Sequence, residues 1–541
     1  MKLHTRLMLF LLLPLAGPIH AQIQAPASNP EELVRKVADH ILQTTSFRFV
    51  NTKSGEKYTS TSGVAPSPDV RAESKFNKWQ YVNGVLTVGM MQTATVLNDP
   101  KYSDYSRKNF DFIFSNLDYF KKQYDGGATS VEYRPVMKIG SLDDCGSMAA
   151  GLLEVYAFDK KPYYLDYLRR VGDYILNKQV KFPDGTLARN GPRKMTLWAD
   201  DLYMSVPFLA RMGKLTGDNT YFDFAIRQVE SFTRYIYDST DGLYYHCFYN
   251  DENTNGVAHW GRCNGWVALA QVALLDQLPE GHPKRAQLQK MLLRQIIGFS
   301  RYQDTSGMWH QVLDKPDSYL ESSVTAMFIY TVAHAVNKGW ISPHYLSIAL
   351  NGWEGLARKV TADGELQDIC IGTNIEENIR FYYNRPRETN DTHGLGAFLL
   401  AGTELILAKD KMPASHASAA SSLPAPYATT STKRSGKVIG WPEGKTPIAP
   451  PGFTVSRYAG NLNSPRWFYQ LPNGDLLVSE SQTNRKKSAN DILLFRDSNK
   501  DGVPELRDTF MTHQNQPLGM LLLKGWFYVG NTDGVYRYRY K

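Results

Sequence analysis

What this chain lacks narrows its reading first. Cysteine is scarce: Cys145, Cys247, Cys263 and Cys370 are the only four in 541 residues, and no two form a Cys-x-x-Cys pair. Zinc ribbons and dithiol redox sites need that spacing, so neither a metal nor a redox centre is expected. The thiols should be buried and free, with at most one disulfide in an oxidising compartment. Long apolar runs are missing too. Beyond the N-terminus nothing reaches the roughly 18 unbroken apolar residues of a membrane span. A clustered basic face is also absent. The net charge is +8, yet sixteen Lys and Arg against nine Asp and Glu lie from Lys433 onward, and Lys2 and Arg6 add two more positive charges. The long stretch between is nearly neutral, which argues against a nucleic-acid partner. The C-terminal excess is scattered, apart from Arg485-Lys486-Lys487.

The N-terminus carries Lys2 and Arg6, an apolar run from Leu7 to Leu15, and Ile19-His20-Ala21 as a small-residue cleavage site. This predicts a secretory signal peptide over residues 1–21 and an exported protein, periplasmic or secreted, with no membrane span after its removal. The chain is too long for one core, so two domains are expected.

From residue 29 to 411 one theme recurs every roughly 55 to 70 residues, the mark of a repeated supersecondary unit. An aromatic or acidic opener leads a helix rich in Gly, Ala and Leu, and a more amphipathic helix follows. The openers are Trp79, Asp143-Asp144, Trp198-Ala199-Asp200, Trp260-Gly261-Arg262, Glu321-Ser322-Ser323 and Asn390-Asp391. Helices apolar nearly all round are buried. Six buried and six outer helices predict an all-α (α/α)6 barrel of six helical hairpins, with the openers facing one mouth. Asp200 and Asp201 are expected in the first turn of a helix, where unpaired N–H groups favour carboxylates.

Residues 412–435 turn to Ala, Ser, Pro and Thr, a flexible linker. Residues 436–541 read as short alternating strands, a small β-propeller-like all-β segment. About 100 residues make roughly two blades, and a closed propeller needs at least four, so the segment is incomplete.

Paired carboxylates beside aromatic platforms suit chemistry on a sugar. Trp198, Trp260 and Trp266 offer faces, and Arg262 a bidentate clamp for an anionic group. If two of Asp200, Asp201, Asp143 and Asp144 face each other across the cleft, like-charge repulsion should raise one pKa towards a general-acid role.

Trp198-Ala199-Asp200-Asp201-Leu202-Tyr203-Met204, Trp260-Gly261-Arg262-Cys263-Asn264-Gly265-Trp266 and Gly396-Ala397-Phe398-Leu399-Leu400-Ala401-Gly402 together resemble the unsaturated rhamnogalacturonyl hydrolases of glycoside hydrolase family 105, relatives of the family 88 unsaturated glucuronyl hydrolases. The resemblance covers residues 30 to 410. It implies an (α/α)6 barrel without metal or organic cofactor. It implies removal of a 4,5-unsaturated uronic acid from the non-reducing end of lyase-made oligosaccharides by hydration of a vinyl ether. By the same resemblance Asp200 is the general acid/base, Asp143 or Asp144 the second acid, and Trp198, His246, Arg262, Trp266, Trp260 and Glu321 contact substrate. The alternatives are a glucuronyl hydrolase acting on arabinogalactan, ulvan or glycosaminoglycan fragments, or a non-catalytic glycan-binding protein.

The C-terminal motifs Pro465-Arg466, Leu471-Pro472-Asn473-Gly474-Asp475 and Asn515-Gln516-Pro517-Leu518-Gly519 resemble sorbosone- or glucose-dehydrogenase-type propellers. That implies pyrroloquinoline quinone, faced by His513, only in a complete propeller. Asp497-Ser498-Asn499-Lys500-Asp501-Gly502 alternates oxygen ligands as a calcium loop does, but Asp508 stands where the bidentate Glu is expected; a plain Asp/Asn turn fits equally.

Overall fold

The computed structural model describes residues 28–408, 440–442, 444–482 and 487–540. The expected signal peptide and linker lie outside the described residues. The chain divides into two units, Met1–Ser422 and Leu423–Lys541.

Helices begin where the chain supplies caps. Asn29 accepts the N–H of Glu31 and Pro30 opens α1 (Pro30–Thr44), a position where the missing proline N–H costs nothing. Then come α2 (Tyr81–Leu97), α3 (Lys101–Ser115), α4 (Leu117–Asp125), α5 (Arg134–Met137), α6 (Gly146–Tyr156) and α7 (Pro162–Asp173). The rest are α8 (Val206–Thr216), α9 (Asn219–Ile236), α10 (Gly261–Gln277), α11 (Arg285–Ser300), α12 (Ser322–Asn337), α13 (Leu346–Ala357), α14 (Ile379–Tyr383) and α15 (Thr392–Ala408).

Among the described residues, α2, α6, α8, α10, α12 and α15 pack each on the next, and α15 returns to α2. Each has a more polar companion outside: α3, α7, α9, α11 and α13 follow their partners, and α1 covers α15. Glycine permits the close approach of the inner helices. A Cβ on Gly84 of α2 would stand 2.2 Å from the Ser147 carbonyl oxygen of α6, and one on Gly396 of α15 would stand 2.6 Å from the backbone of Leu86. The Asp-Gly and Ser-Gly turns at Gly185, Gly242, Gly307 and Gly364 all have positive φ, from 75° to 89°, which glycine adopts without steric cost.

Short strands precede the inner helices. Thr196–Trp198 pairs with Cys247–Tyr249, Trp309–His310 with Leu320–Glu321, and Ile369–Cys370 with Arg387–Glu388. All four cysteines are buried and free. No described helix is long and apolar enough to cross a membrane.

The second unit holds two antiparallel sheets in chain order. Four strands run Pro465–Gln470, Leu476–Glu480, Asp491–Arg496 and Leu506–Met511; three run Met520–Leu523, Trp526–Asn531 and Gly534–Arg539. Leu471, Leu477, Ile492, Met520, Phe527 and Val529 form its core. His513, expected to face a quinone only in a complete propeller, is exposed and hydrogen-bonded to Thr512. In the acidic loop, carboxylate oxygens of Asp497, Asp501 and Glu505 lie within 4.8 Å of one another. Glu505, not Asp508, joins them, because Asp508 is already in a strand.

Candidate active site

The pairing of Trp198 with Cys247 sets the geometry. The N–H of Ala199 donates to the His246 carbonyl at 2.9 Å, so the residue after Ala199 meets a histidine 46 positions away. Asp200 sits in a 3₁₀ turn, Ala199–Leu202, and the helix proper starts only at Val206. The expectation of a first helical turn is corrected: pairing of the preceding strand holds the backbone, and the chain tightens before it can wind.

His246 Nε2 lies 3.1 Å from Asp200 Oδ2. On its other side Nδ1 is 2.9 Å from the Tyr382 hydroxyl. That hydroxyl already accepts the Glu376 N–H at 3.2 Å. Its own hydrogen is therefore best used towards Nδ1, which leaves the imidazole proton on Nε2, facing Asp200. Burial pushes the Asp200 carboxyl up, but His246, Arg189 and Arg262 outweigh it and hold it below the ordinary aspartate range. His246 is fully buried, whereas Asp200 keeps 14% of its side chain accessible. Trp198 and Trp260 wall the imidazole, their ring centroids 5.7 and 4.6 Å from it.

Asp143 and Asp201 share a cation absent from every motif. Arg189 forks onto both Asp143 oxygens at 2.8 Å and onto Asp201 at 2.6 to 2.9 Å, while its guanidinium stacks 4.4 Å over Trp198. Asp201 is fully buried. Burial raises its carboxyl to about 6; Arg189 opposes, and Asp143 and Asp200 add repulsion. The expected like-charge effect is thus a smaller contribution beside burial, acting on Asp201 and, from Asp143, on Asp144. Asp144 is turned away: its Oδ2 accepts the Gly140 N–H at 2.9 Å and its carbonyl accepts the Trp79 indole N–H at 2.8 Å. Burial raises its carboxyl above the usual range.

A second relay was not legible. Tyr81 of α2 and His393 of α15 hydrogen-bond at 2.7 Å, and His393 Nδ1 hydrogen-bonds Asp391. Burial, then the charge of Arg262, lowers the His393 pKa against the pull of Asp391. Burial raises the Tyr81 phenol, and the charges of Arg262, Asp143 and Asp200 act on it as well. Tyr81 also meets Trp266 edge-on. In linear sequence Asp391 reads only as a helix opener, and Tyr81, Arg189, Tyr382 and His393 carry no motif.

Other expected contacts are committed to the scaffold. Arg262 donates to the carbonyls of Cys370 and Ile371 and stacks on Trp260 at 4.6 Å. Two of its donors thus hold the Ile369–Cys370 strand and the residue after it, which corrects the picture of a free bidentate clamp. Glu321 caps α12: its carboxylate accepts the N–H groups of Ser323, Val324 and Cys370 and the Ser323 hydroxyl. With no exposure it has no oxygen to offer a sugar. Trp266 is 1% exposed and packs on Tyr203 at 4.8 Å. Trp79 belongs to an aromatic cluster with Phe110, Phe114 and Tyr167. Asn390 spends its amide on Leu366 and His40.

Compared with known proteins, residues 59–409 match Glycosyl Hydrolase Family 88. An unsaturated rhamnogalacturonyl hydrolase from Bacillus subtilis is 29% identical over 273 residues, 49% of this chain and 77% of that protein. An unsaturated 3S-rhamnoglycuronyl hydrolase from Alteromonas is 27% identical over 39% of this chain and 51% of its own length. In structure, a possible member of family GH105 from Klebsiella pneumoniae superposes with a TM-score of 0.57 at 24% identity, covering 73% of this chain and 96% of its own. One from Salmonella enterica gives 0.56 at 24% identity, over 74% and 99%. Because the match runs through nearly the whole helical unit, the chain belongs to glycosyl hydrolase family 88, and it is a glycoside hydrolase.

Proposed function

We propose that this enzyme, exported and built on a six-hairpin (α/α)6 barrel, removes a 4,5-unsaturated galacturonyl residue from the non-reducing end of lyase-made oligosaccharides. The observation that carries the reading is the Asp200–His246–Tyr382 line, which sets one accessible carboxylate against a buried, oriented imidazole. The chemistry is hydration of the vinyl ether. Asp200 delivers a proton to C4 and assists water onto C5; the resulting hemiketal opens and releases the sugar. In the free enzyme Asp200 is held ionised. The substrate's carboxylate, once bound, adds like charge and excludes water, and both raise the carboxyl towards protonation. Asp143, fixed by Arg189, serves as the second acid; Asp144 lacks that orientation. Trp198 and Trp260 hold the imidazole, and Arg262 contributes field rather than a clamp.

The test mixes purified protein with unsaturated galacturonyl-rhamnose fragments and, in parallel, unsaturated glucuronyl disaccharides. Loss of the ultraviolet absorbance of the conjugated double bond is followed. Decay with the first substrate, abolished by Asp200→Asn, supports the reading. Faster decay with the glucuronyl set reassigns the uronate. Decay unchanged in Asp200→Asn moves the acid to Asp143, and no decay with either substrate sinks the proposal.

A further inference from the structure

A second group of chemistry-bearing side chains gathers where three loops meet. Asp238 and Asp241 flank the turn of the 237–244 hairpin, His259 lies in the approach to α10, and Asp314 follows the 309–310 strand. Ligating atoms of Asp238, Asp241 and His259 lie within 4.8 Å of one another. His259 is 4% exposed. Its Nε2 stands 3.6 Å from Asp238 Oδ2, and its Nδ1 stands 3.6 Å from Asp314 Oδ2. Nε2 is buried without a hydrogen-bond partner among the described residues, as is Oδ1 of Asp314. The Tyr245 ring lies against the imidazole, centroids 4.3 Å apart, and its hydroxyl donates to Asp238 at 2.9 Å.

These distances exclude a closed ion pair at His259. A protonated imidazole between carboxylates closes to about 2.7–2.9 Å, and 3.6 Å is not a hydrogen bond. Two ligands each about 2.1 Å from one ion, at a tetrahedral angle, stand about 3.4 Å apart. The spacing of His259 and Asp238 fits two donors sharing a cation, and since Asp314 stands equally far from Nδ1, it is the unpaired Nε2 that points to an ion. A buried imidazole nitrogen left unpaired is costly, and an ion satisfies it together with the two carboxylates that face it. One imidazole and two carboxylates suit zinc rather than calcium, which takes six to eight oxygens. A carboxylate hydrogen-bonded to the other ring nitrogen orients metal-binding imidazoles; Asp314 faces Nδ1 at 3.6 Å and would close to hydrogen-bond distance when the ion holds the ring.

We propose that Asp238, Asp241 and His259 form a zinc site, with Asp314 orienting the imidazole. The ion ties the hairpin to the 256–260 loop. That loop holds His246 through the Ala258 carbonyl, at 3.0 Å from the His246 N–H, so zinc stiffens the wall that presents His246. Linear spacing hid the site because His259 comes from the approach to α10, outside the hairpin that carries both carboxylates.

The experiment uses the full chain, stripped with a chelator and dialysed, with zinc chloride or calcium chloride added back. Calorimetric titration and thermal unfolding are read without substrate, so the outcome is independent of the reaction proposed above. One equivalent of zinc should bind. At a hundredfold excess over its Kd it should raise the Tm by about 3 °C or more. His259→Ala and Asp241→Asn should each abolish that equivalent. Asp241 lies in a half-exposed turn, so Asp241→Asn decides alone if His259→Ala does not fold. No zinc uptake, uptake unchanged in the variants, or preference for calcium overturns the site.

Discussion

Asp200 and Asp201 are neighbours with opposite fates. One keeps some access to solvent and faces an imidazole; the other is sealed under a guanidinium. Removing the first should cost chemistry. Asp200→Asn is expected to lower kcat by on the order of 100-fold or more, with unfolding midpoint nearly unchanged, as steady-state rates beside thermal melts would show. Removing the cation should cost stability. Arg189→Ala leaves Asp201 buried and unpaired, a loss of about 3–5 kcal/mol in denaturant titration. Tyr382→Phe keeps the ring and deletes the hydroxyl that fixes the His246 tautomer; kcat should fall about tenfold while KM holds. Equal loss in KM would assign Tyr382 to binding instead.

The inner helices are held apart by backbone rather than side chains at their closest points. Gly84→Ala drives a methyl into the Ser147 carbonyl and should destabilise by about 3 kcal/mol, the upper end for overpacking; an unchanged Tm would contradict the packing described. At the C-terminal ends of α10, α12 and α15, His334 is clasped by Asp276 and Glu404 at 2.9 and 2.8 Å. Burial alone would lower its pKa, but the two carboxylates outweigh it and hold it at about 9. A pKa raised on folding gives stability that is complete below the unfolded value of about 6.5 and lost as pH rises through 9. Up to about 3 kcal/mol should disappear between pH 6.5 and 9.5, and His334→Gln should flatten that slope in chemical denaturation.

At the scale of the whole molecule, every group named in the candidate active site belongs to the first unit. A chain ending at Ser422 is expected to keep full activity; loss of kcat in a well-folded truncation would assign the second unit a part in catalysis. The repeat of openers and buried helices was legible because apolar periodicity is a local property of consecutive residues, and so were the positive-φ turns at Asp-Gly. The strands of 465–470, 476–480, 491–496, 520–523 and 526–531 were largely legible for the same reason, whereas 506–511 and 534–539, exposed and rich in charge or tyrosine, carry little alternation. Motif order sufficed for the family. Which acid is oriented, which tryptophan is core, and whether an arginine is free depend on partners 46 to 109 residues away. Arg189 could not be paired with Asp143, nor His246 with Asp200, until strand pairing and ring closure brought them together. Composition and period therefore determined the helical architecture, because burial of apolar surface acts residue by residue, and motif order determined the family. Only the tertiary structure decided which side chains meet at the site, because electrostatics and hydrogen bonding act through space.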